Sequence, residues 1–173
     1  MNKRTLYHYS RLNTHQFVTF RTQDSVDDYL QKIQRRADLS ISQKQMKLDS
    51  YCDQSNKGCY LNGEVIDIID GYLMKLEPAF YRLIAYSIMP NHVHLLFQQK
   101  QELKEIMKRV KGGTALLVNK YLLRHGKLWE RDYFDKSIRD EKHFLLTYEY
   151  IKNNALKASL KDADQRFYGI YDE

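Results

Sequence analysis

The chain has 173 residues, a length that suits one domain with a modest core. Its 43% hydrophobic and 29% charged residues, with two Pro and seven Gly, exclude a disordered or fibrous protein. The excess of 28 Lys and Arg over 22 Asp and Glu gives a net charge of +6, which suits an anionic partner. No apolar stretch is long enough to span a bilayer and the first residues lack a signal core, so we expect a soluble cytoplasmic protein.

Residues 16–76 contain a strand, two helical segments and a stretch without a clear period. Residues 16–21 alternate apolar and polar side chains, which predicts a half-buried strand. A hydroxyl followed three positions later by an acidic residue, at 25–28, predicts a helix start. Residues 35–60 are polar and aperiodic, and we interpret them as an insertion or irregular segment. Residues 64–76 carry apolar side chains at helical intervals.

The remainder of the chain predicts a hairpin, a long helix, a strand and a final helix. Residues 80–89 and 92–98 are apolar and strand-like on either side of a Pro-Asn turn. Residues 103–123 form a basic helix with a weak point at its Gly pair, and Ile106, Val110, Leu117 and Tyr121 are predicted on its buried side.

A short strand at 134–139 is followed by a helix from Asp140 to about residue 160, because acidic residues favour a first helical turn. This order predicts an α+β fold of ferredoxin-like kind, an antiparallel sheet with helices packed on one face. We assign residues 1–173 to this one domain. Cys52 and Cys59 are too few for a disulfide scaffold and are predicted to be reduced thiols.

The most informative motif is MPNHVH at Met89 to His94. Residues i and i+2 of a strand share a face, so His92 and His94 can bind one metal ion while Val93 and Leu95 point into the core. Two unrelated surface histidines are the simpler interpretation of an isolated pair. A cupin-like site would need a Glu soon after the pair, and an amidohydrolase barrel would need a longer chain.

The motif resembles the HUH nuclease signature of single-tyrosine transposases of bacterial insertion sequences, in which U is a hydrophobic residue. Two later segments, LWERDYFD at 128–135 and YIKNNALKA at 150–158, resemble the C-terminal half of the REP-associated tyrosine transposases. The resemblance covers residues 89–158. It implies the HUH endonuclease fold and a metal-dependent enzyme that cuts and joins single-stranded DNA.

The resemblance also implies which residues react. The family's nucleophilic Tyr and the Asn four positions later correspond to Tyr150 and Asn154, although Ala155 stands where the family usually has Pro. On a helical wheel Tyr148 falls in the buried stripe, whereas Tyr150 and Asn154 flank it as an i,i+4 pair. Tyr133 is the main rival nucleophile.

The implied chemistry uses Mg²⁺ or Mn²⁺ held by His92, His94 and an oxygen ligand such as the Asn154 amide. The implied product is a 5′-phosphotyrosine on Tyr150 and a free 3′-hydroxyl. No phosphate-binding Gly-rich loop is present, which agrees with a reaction that stores the phosphoester bond covalently.

Residues 101–131 contain eight basic residues and three acidic ones. This excess of positive charge predicts a surface that follows the DNA backbone. Nearby aromatic residues are predicted to stack on unpaired bases. The candidate DNA-binding residues are Lys104, Lys108, Arg109, Lys111, Arg124, Lys127, Arg131, Trp129 and Tyr133.

The expected partner is single-stranded or hairpin DNA, and the sequence leaves monomer and homodimer open. A noncatalytic nucleic-acid-binding domain that keeps the fold is the alternative. A metal-dependent hydrolase of a small substrate is a weaker one, because no carboxylate lies near the His pair in sequence.

Overall fold

The computed structural model describes residues 10–172. Within this range five strands form one sheet: β1 (His15–Arg21), β2 (Tyr81–Ile88), β3 (His92–Gln99), β4 (Phe134–Ser137) and β5 (Phe167–Gly169). Six helices accompany the strands: α1 (Asp28–Arg35), α2 (Ile41–Gln54), α3 (Glu64–Leu76), α4 (Leu103–Tyr121), α5 (Glu141–Lys157) and α6 (Ala163–Arg166). The sheet order is β4-β1-β3-β2-β5, and every neighbouring pair is antiparallel.

Alternation along the central strand β3 divides the sheet into two faces with different composition. Val93, Leu95 and Phe97 belong to a large apolar cluster on what we call the core face. His92 and His94 lie on the opposite side, which we call the histidine face. Both histidines are fully buried, so other elements cover this part of the face as well.

The core face is covered by α3 and α4. Apolar residues of α3 such as Ile69 and Leu73, and of α4 such as Ile106 and Val110, pack against it. A Cβ atom on Gly113 would stand 1.9 Å from the Tyr72 ring, so the glycine in α4 is what lets α3 approach closely.

The histidine face is covered by α5 and α2. Tyr148 and Ile151 of α5 pack on Phe17 and Leu96 of the sheet. Helix α2 is joined to the same face by an ion pair between Asp49 and Arg21, the last residue of β1. Helix α1 packs behind α2 in a small separate apolar cluster.

The α+β class, the antiparallel sheet and the β2–β3 hairpin are confirmed. The expectation that the helices pack on one face is corrected, since α5 and α2 lie on the face opposite to α3 and α4. The physical reason is that this sheet carries apolar residues on both faces, and the apolar residues of each face need a cover.

Two details of the helices also differ from expectation. Helix α1 is capped by Asp27, whose side chain accepts hydrogen bonds from the Tyr29 and Leu30 amides, rather than by the hydroxyl two residues earlier. On α4, Leu117 and Tyr121 are exposed, because the buried stripe continues through Thr114 and Val118.

The segment 35–60 is not irregular, because α2 occupies fourteen of its residues. Ser40 caps this helix and Gln43 completes a reciprocal capping box. Its buried positions alternate between apolar Leu48 and Cys52 and polar Gln45 and Asp49, which obscured the helical period. That this segment is an insertion remains a prediction.

The C-terminal elements α6 and β5 were not predicted. Arg166 of α6 is buried and its guanidinium donates hydrogen bonds to the carbonyls of Leu61 and Ile88, which anchors the end of the chain to the sheet. Among residues 10–172, no helix combines the length and apolar character needed to cross a bilayer.

Candidate active site

The pairing of β1 with β3 places a polar residue beside each histidine. In this register Thr19 lies opposite His94 and Arg21 lies opposite His92. The Thr19 hydroxyl is 2.8 Å from Nδ1 of His94. Cross-strand neighbours on the same face are close enough to interact, so the sheet itself orients the two rings.

The hydrogen bonds of His92 determine which of its nitrogens carries the proton. Its Nδ1 is 2.8 Å from the Asn91 side-chain oxygen, while the Asn91 amide nitrogen donates to the carbonyls of Cys52 and Lys57. That orientation leaves an oxygen facing the ring, and an amide oxygen only accepts. His92 therefore carries its proton on Nδ1 and presents the lone pair of Nε2.

Both imidazoles are suited to metal binding in charge as well as orientation. Burial lowers the pKa of His94 to about 4, and burial followed by the neighbouring His94 and Arg21 lowers the pKa of His92 well below its usual value. Both rings are therefore neutral near pH 7, which is the form that ligates metal ions. The two ring centroids are 4.8 Å apart.

Helix α2 brings two carboxylates to the histidine face. Asp49 accepts hydrogen bonds from Arg21 (2.9 Å) and Gln45 (2.6 Å), and one of its oxygens lies within 4.8 Å of a ring nitrogen of each histidine. Asp53, one turn later, has an oxygen 3.6 Å from Nε2 of His92. Burial, followed by repulsion from Asp49, raises the pKa of Asp53 to about 7.

Tyr150 reaches the same place from α5. Its hydroxyl donates a 2.7 Å hydrogen bond to Asp49, and its ring centroid is 5.3 Å from that of His94. The pKa of the Tyr150 hydroxyl is raised by burial and then by Asp49. Phe17 packs on both rings, with centroids 5.7 Å from His94 and 6.0 Å from Tyr150.

Four buried side-chain atoms around this site that can accept a hydrogen bond have no partner among the residues that the structure describes. They are Nε2 of His92, Nε2 of His94, Oδ1 of Asp53 and Oδ1 of Asn154. All four can donate a lone pair to a cation, and buried polar atoms are seldom left unpaired without a reason. The donor set, two imidazoles with carboxylate and amide oxygens, fits a divalent metal ion.

Asn154, predicted as the oxygen ligand, is buried one turn beyond Tyr150 on α5. The wheel argument is confirmed for Tyr148, which is buried in the α5 core stripe. Tyr133, the rival nucleophile, belongs to the cluster on the core face and is therefore separated from the histidines by the sheet.

Three predicted DNA-binding residues are engaged within the protein. Trp129 is 5% exposed in the core and donates to the Thr114 hydroxyl, so its predicted stacking on bases is wrong. Lys111 donates to the backbone carbonyls of three successive residues from Glu130, and burial lowers its pKa to about 8. Arg124 pairs with Asp24 and stacks over Tyr60.

The other basic residues of that set are exposed: Lys104, Lys108, Arg109, Lys127 and Arg131. They lie on α4 or in the segment that follows it. Arg109 also contacts the Phe80 ring, with its guanidinium carbon 5.8 Å from the centroid. Because α4 covers the core face, its exposed lysines and the histidines belong to opposite sides of the sheet.

Sequence reasoning missed Asp49, Asp53, Arg21, Thr19 and Asn91. One signal is present, because the residues SISQ at 40–43 have the spacing of a capping box and predict a helix within the polar segment 35–60. Nothing in the sequence joins that helix to histidines about forty residues later.

The chain is similar to known proteins in sequence and in fold. The family model for the IS200-like transposases matches residues 57–154, more than half of the chain. An uncharacterised protein of Haemophilus influenzae is 28% identical in an alignment of 106 positions that covers 46% of this chain and 58% of that protein. The matched region thus spans little more than half of that relative.

A solved structure of a REP-associated tyrosine transposase bound to a REP hairpin has the same fold. It aligns over 88% of this chain and 73% of its own, with a TM-score of 0.55 and 14% identity.

Proposed function

The chain belongs to the family of IS200-like transposases, and on that premise we propose that it cuts and rejoins single-stranded DNA through Tyr150. The observation that carries the proposal is one shared site. A tyrosine hydroxyl lies next to two neutral, buried histidines whose Nε2 atoms have no other hydrogen-bond partner within residues 10–172.

A divalent metal ion, Mg²⁺ or Mn²⁺, would be held by His92, His94 and an oxygen of Asp49 or Asn154. When bound, it would polarise the scissile phosphate and stabilise the negative charge that develops during attack. Asn91 and Thr19 would keep the imidazole lone pairs directed at it.

The chemical step uses Tyr150 as nucleophile and Asp49 as proton acceptor. The Tyr150 oxygen bonds to phosphorus as the bond from phosphorus to the 3′ oxygen of the preceding nucleotide breaks. The phenolic proton passes to the Asp49 carboxylate, which already accepts its hydrogen bond. The 3′ oxygen takes up a proton and leaves as a free hydroxyl. A 3′-hydroxyl on another end reverses the step and rejoins the strand.

Arg21 supports this assignment. Its guanidinium is 2.9 Å from Asp49 and keeps the carboxylate fixed, with side-chain exposures of 4% and 5%. A charge buried to that degree needs a partner, so the pair holds α2 against the sheet beside the nucleophile.

We assign single-stranded or hairpin DNA as the substrate, by analogy with the REP hairpin in the structure of similar fold. The exposed lysines of α4 supply a basic surface for the DNA backbone, on the far side of the sheet from the reacting tyrosine. A folded hairpin bound there would have to pass a single strand around the sheet edge to reach Tyr150.

The test is a covalent-adduct assay with labelled single-stranded hairpins from the DNA that flanks the gene, with Mn²⁺ present. Wild type and Tyr133→Phe should form a protein–DNA adduct and a free 3′-hydroxyl, and Tyr150→Phe should form neither. Because the Tyr150 hydroxyl is bonded to Asp49, the Phe variant should also lose about 0.5–1.5 kcal/mol of stability. DNA binding with no adduct in wild type would favour the noncatalytic alternative.

A further inference from the structure

Beside Tyr150, between α2 and α5, lies a cavity of about 210 Å³ that the reaction described above does not use. Its floor is formed by β1 and β4, and Tyr150 and Asp49 line the end nearest the histidines. Pockets for drug-sized ligands are roughly 300–1,000 Å³, so this one suits a single ring system and is too small for a base pair.

Aromatic and flexible apolar side chains form its walls. Phe17 and Phe134 meet at 6.2 Å between centroids on the sheet side. Met46 of α2 and Leu146 of α5 form opposite lips and are 70% and 62% exposed. These two exposed apolar side chains, on opposite sides of the cavity, provide surfaces on which a flat ring can pack.

Polar groups at the same cavity suit a nucleotide better than a purely apolar ligand. Lys136, two residues after Phe134 and on the same side of β4, lies at the cavity with its ammonium group 3.1 Å from the Ser42 hydroxyl. Gln45 and Thr147 line opposite walls and can hydrogen-bond to the edge of a base. An aromatic platform with a cation beside it is the combination that binds single-stranded nucleic acid.

We infer that this cavity is a base-binding subsite, which takes one unpaired nucleobase of the nucleotide that flanks the scissile phosphate. The inference rests on the proposed function, because the position of Tyr150 at the cavity wall sets which nucleotide is bound. The base is held between Met46 and Leu146 above Phe134, and Lys136 contacts a neighbouring phosphate. The subsite exists only because α2 and α5 both cover the histidine face.

A cleavage assay on abasic DNA tests the subsite within the active enzyme. Removing the base on one side of the mapped cleavage position should slow adduct formation by wild type about tenfold or more. The double variant Met46→Ala/Leu146→Ala should show the same loss on intact DNA and no further loss on the abasic strand. Ile41→Ala/Leu156→Ala is the matched control, since these residues of the same two helices are exposed outside the cavity.

A second measurement is independent of cleavage. In NMR spectra with labelled methyl groups, the Met46 and Leu146 methyls should shift on addition of thymidine or deoxyadenosine 5′-phosphate, and the Leu156 methyls should not. Shifts of these methyl signals by a protein that forms no DNA adduct would support the subsite and contradict the proposed function.

Three results would overturn the subsite. They are cleavage by wild type with no penalty for either abasic strand, a penalty that persists in Met46→Ala/Leu146→Ala, and a concentration-dependent dimer that the same variant abolishes. The last would mean that a second copy of the chain covers these lips.

Discussion

The two faces of the sheet differ in the buried polar groups that they carry. On the core face, the Trp129 indole donates to the Thr114 hydroxyl and the Tyr81 hydroxyl donates to the Leu73 carbonyl, while Oγ of Ser137 has no partner among the described residues. On the histidine face, His92, His94, Asp53 and Asn154 each leave an atom without one among the described residues.

Each such atom costs about 1–3 kcal/mol of stability when it is desolvated and unpaired. The histidine face carries four such atoms that can all bind a cation, and this concentration indicates that the face is arranged for a ligand. The difference shows how a site can be found from unsatisfied groups when depth of burial alone would not reveal it.

Changing the histidines should give the largest effect. His92→Ala and His94→Ala should each reduce metal-dependent cleavage by about 10³-fold or more, because each removes a ligand whose lone pair is free. Mn²⁺ should raise the melting temperature of the wild type, since it binds only the folded chain, and should not raise that of either variant.

The matched control for the histidines is His125→Ala, an exposed histidine after α4. A variant at 92 or 94 that retains full cleavage, or cleavage that is insensitive to a chelator, would contradict the metal site.

Replacing the two carboxylates of α2, Asp49 and Asp53, should change the stability of the protein by different amounts. Asp49→Ala leaves Arg21 buried without its partner and should cost about 3–5 kcal/mol, measured by urea unfolding without metal. Asp53→Ala, one turn away, removes a carboxylate whose Oδ1 is buried and unpaired and should be neutral or stabilising. Equal destabilisation by the two changes would show that the Arg21–Asp49 pair does not fix α2.

The glycine pair of α4 tests packing on the core face. Gly113→Ala should lose about 1–3 kcal/mol, because the new methyl meets the Tyr72 ring. Gly112→Ala has open space around its Cβ and should gain up to about 1 kcal/mol from helix propensity. Thermal unfolding of both variants, with cleavage unchanged in Gly112→Ala, is the measurement. A stable Gly113→Ala would mean that α3 and α4 are farther apart.

The smallest effect concerns the basic surface. Lys104→Ala and Lys108→Ala should each flatten the dependence of log affinity on log salt by up to about one unit, measured with a hairpin oligonucleotide. Lys111→Ala should instead lower stability and leave that slope unchanged, because its ammonium group is held by backbone carbonyls. A flatter salt dependence for Lys111→Ala would show that Lys111 does contact the DNA backbone.

Features that depend only on neighbours in the chain could be predicted from the amino-acid sequence. The alternation that places His92 and His94 on one face, the helical period of α3 and the position of Tyr150 beside Asn154 on α5 follow from the geometry of a strand and a helix. The resemblance to the family could be recognised for the same reason, since its motifs consist of residues that are close together in the sequence.

The elements that cover each face of the sheet could not be predicted in this way. A capping box can predict α2, but the contact of Asp49 with Tyr150 joins residues 101 positions apart, and no local period records it. In the same way, Trp129 and Lys111 have the composition of a DNA surface and are held inside the protein. Burial and charge pairing depend on the packing of distant segments, and that packing made α2 part of the candidate site.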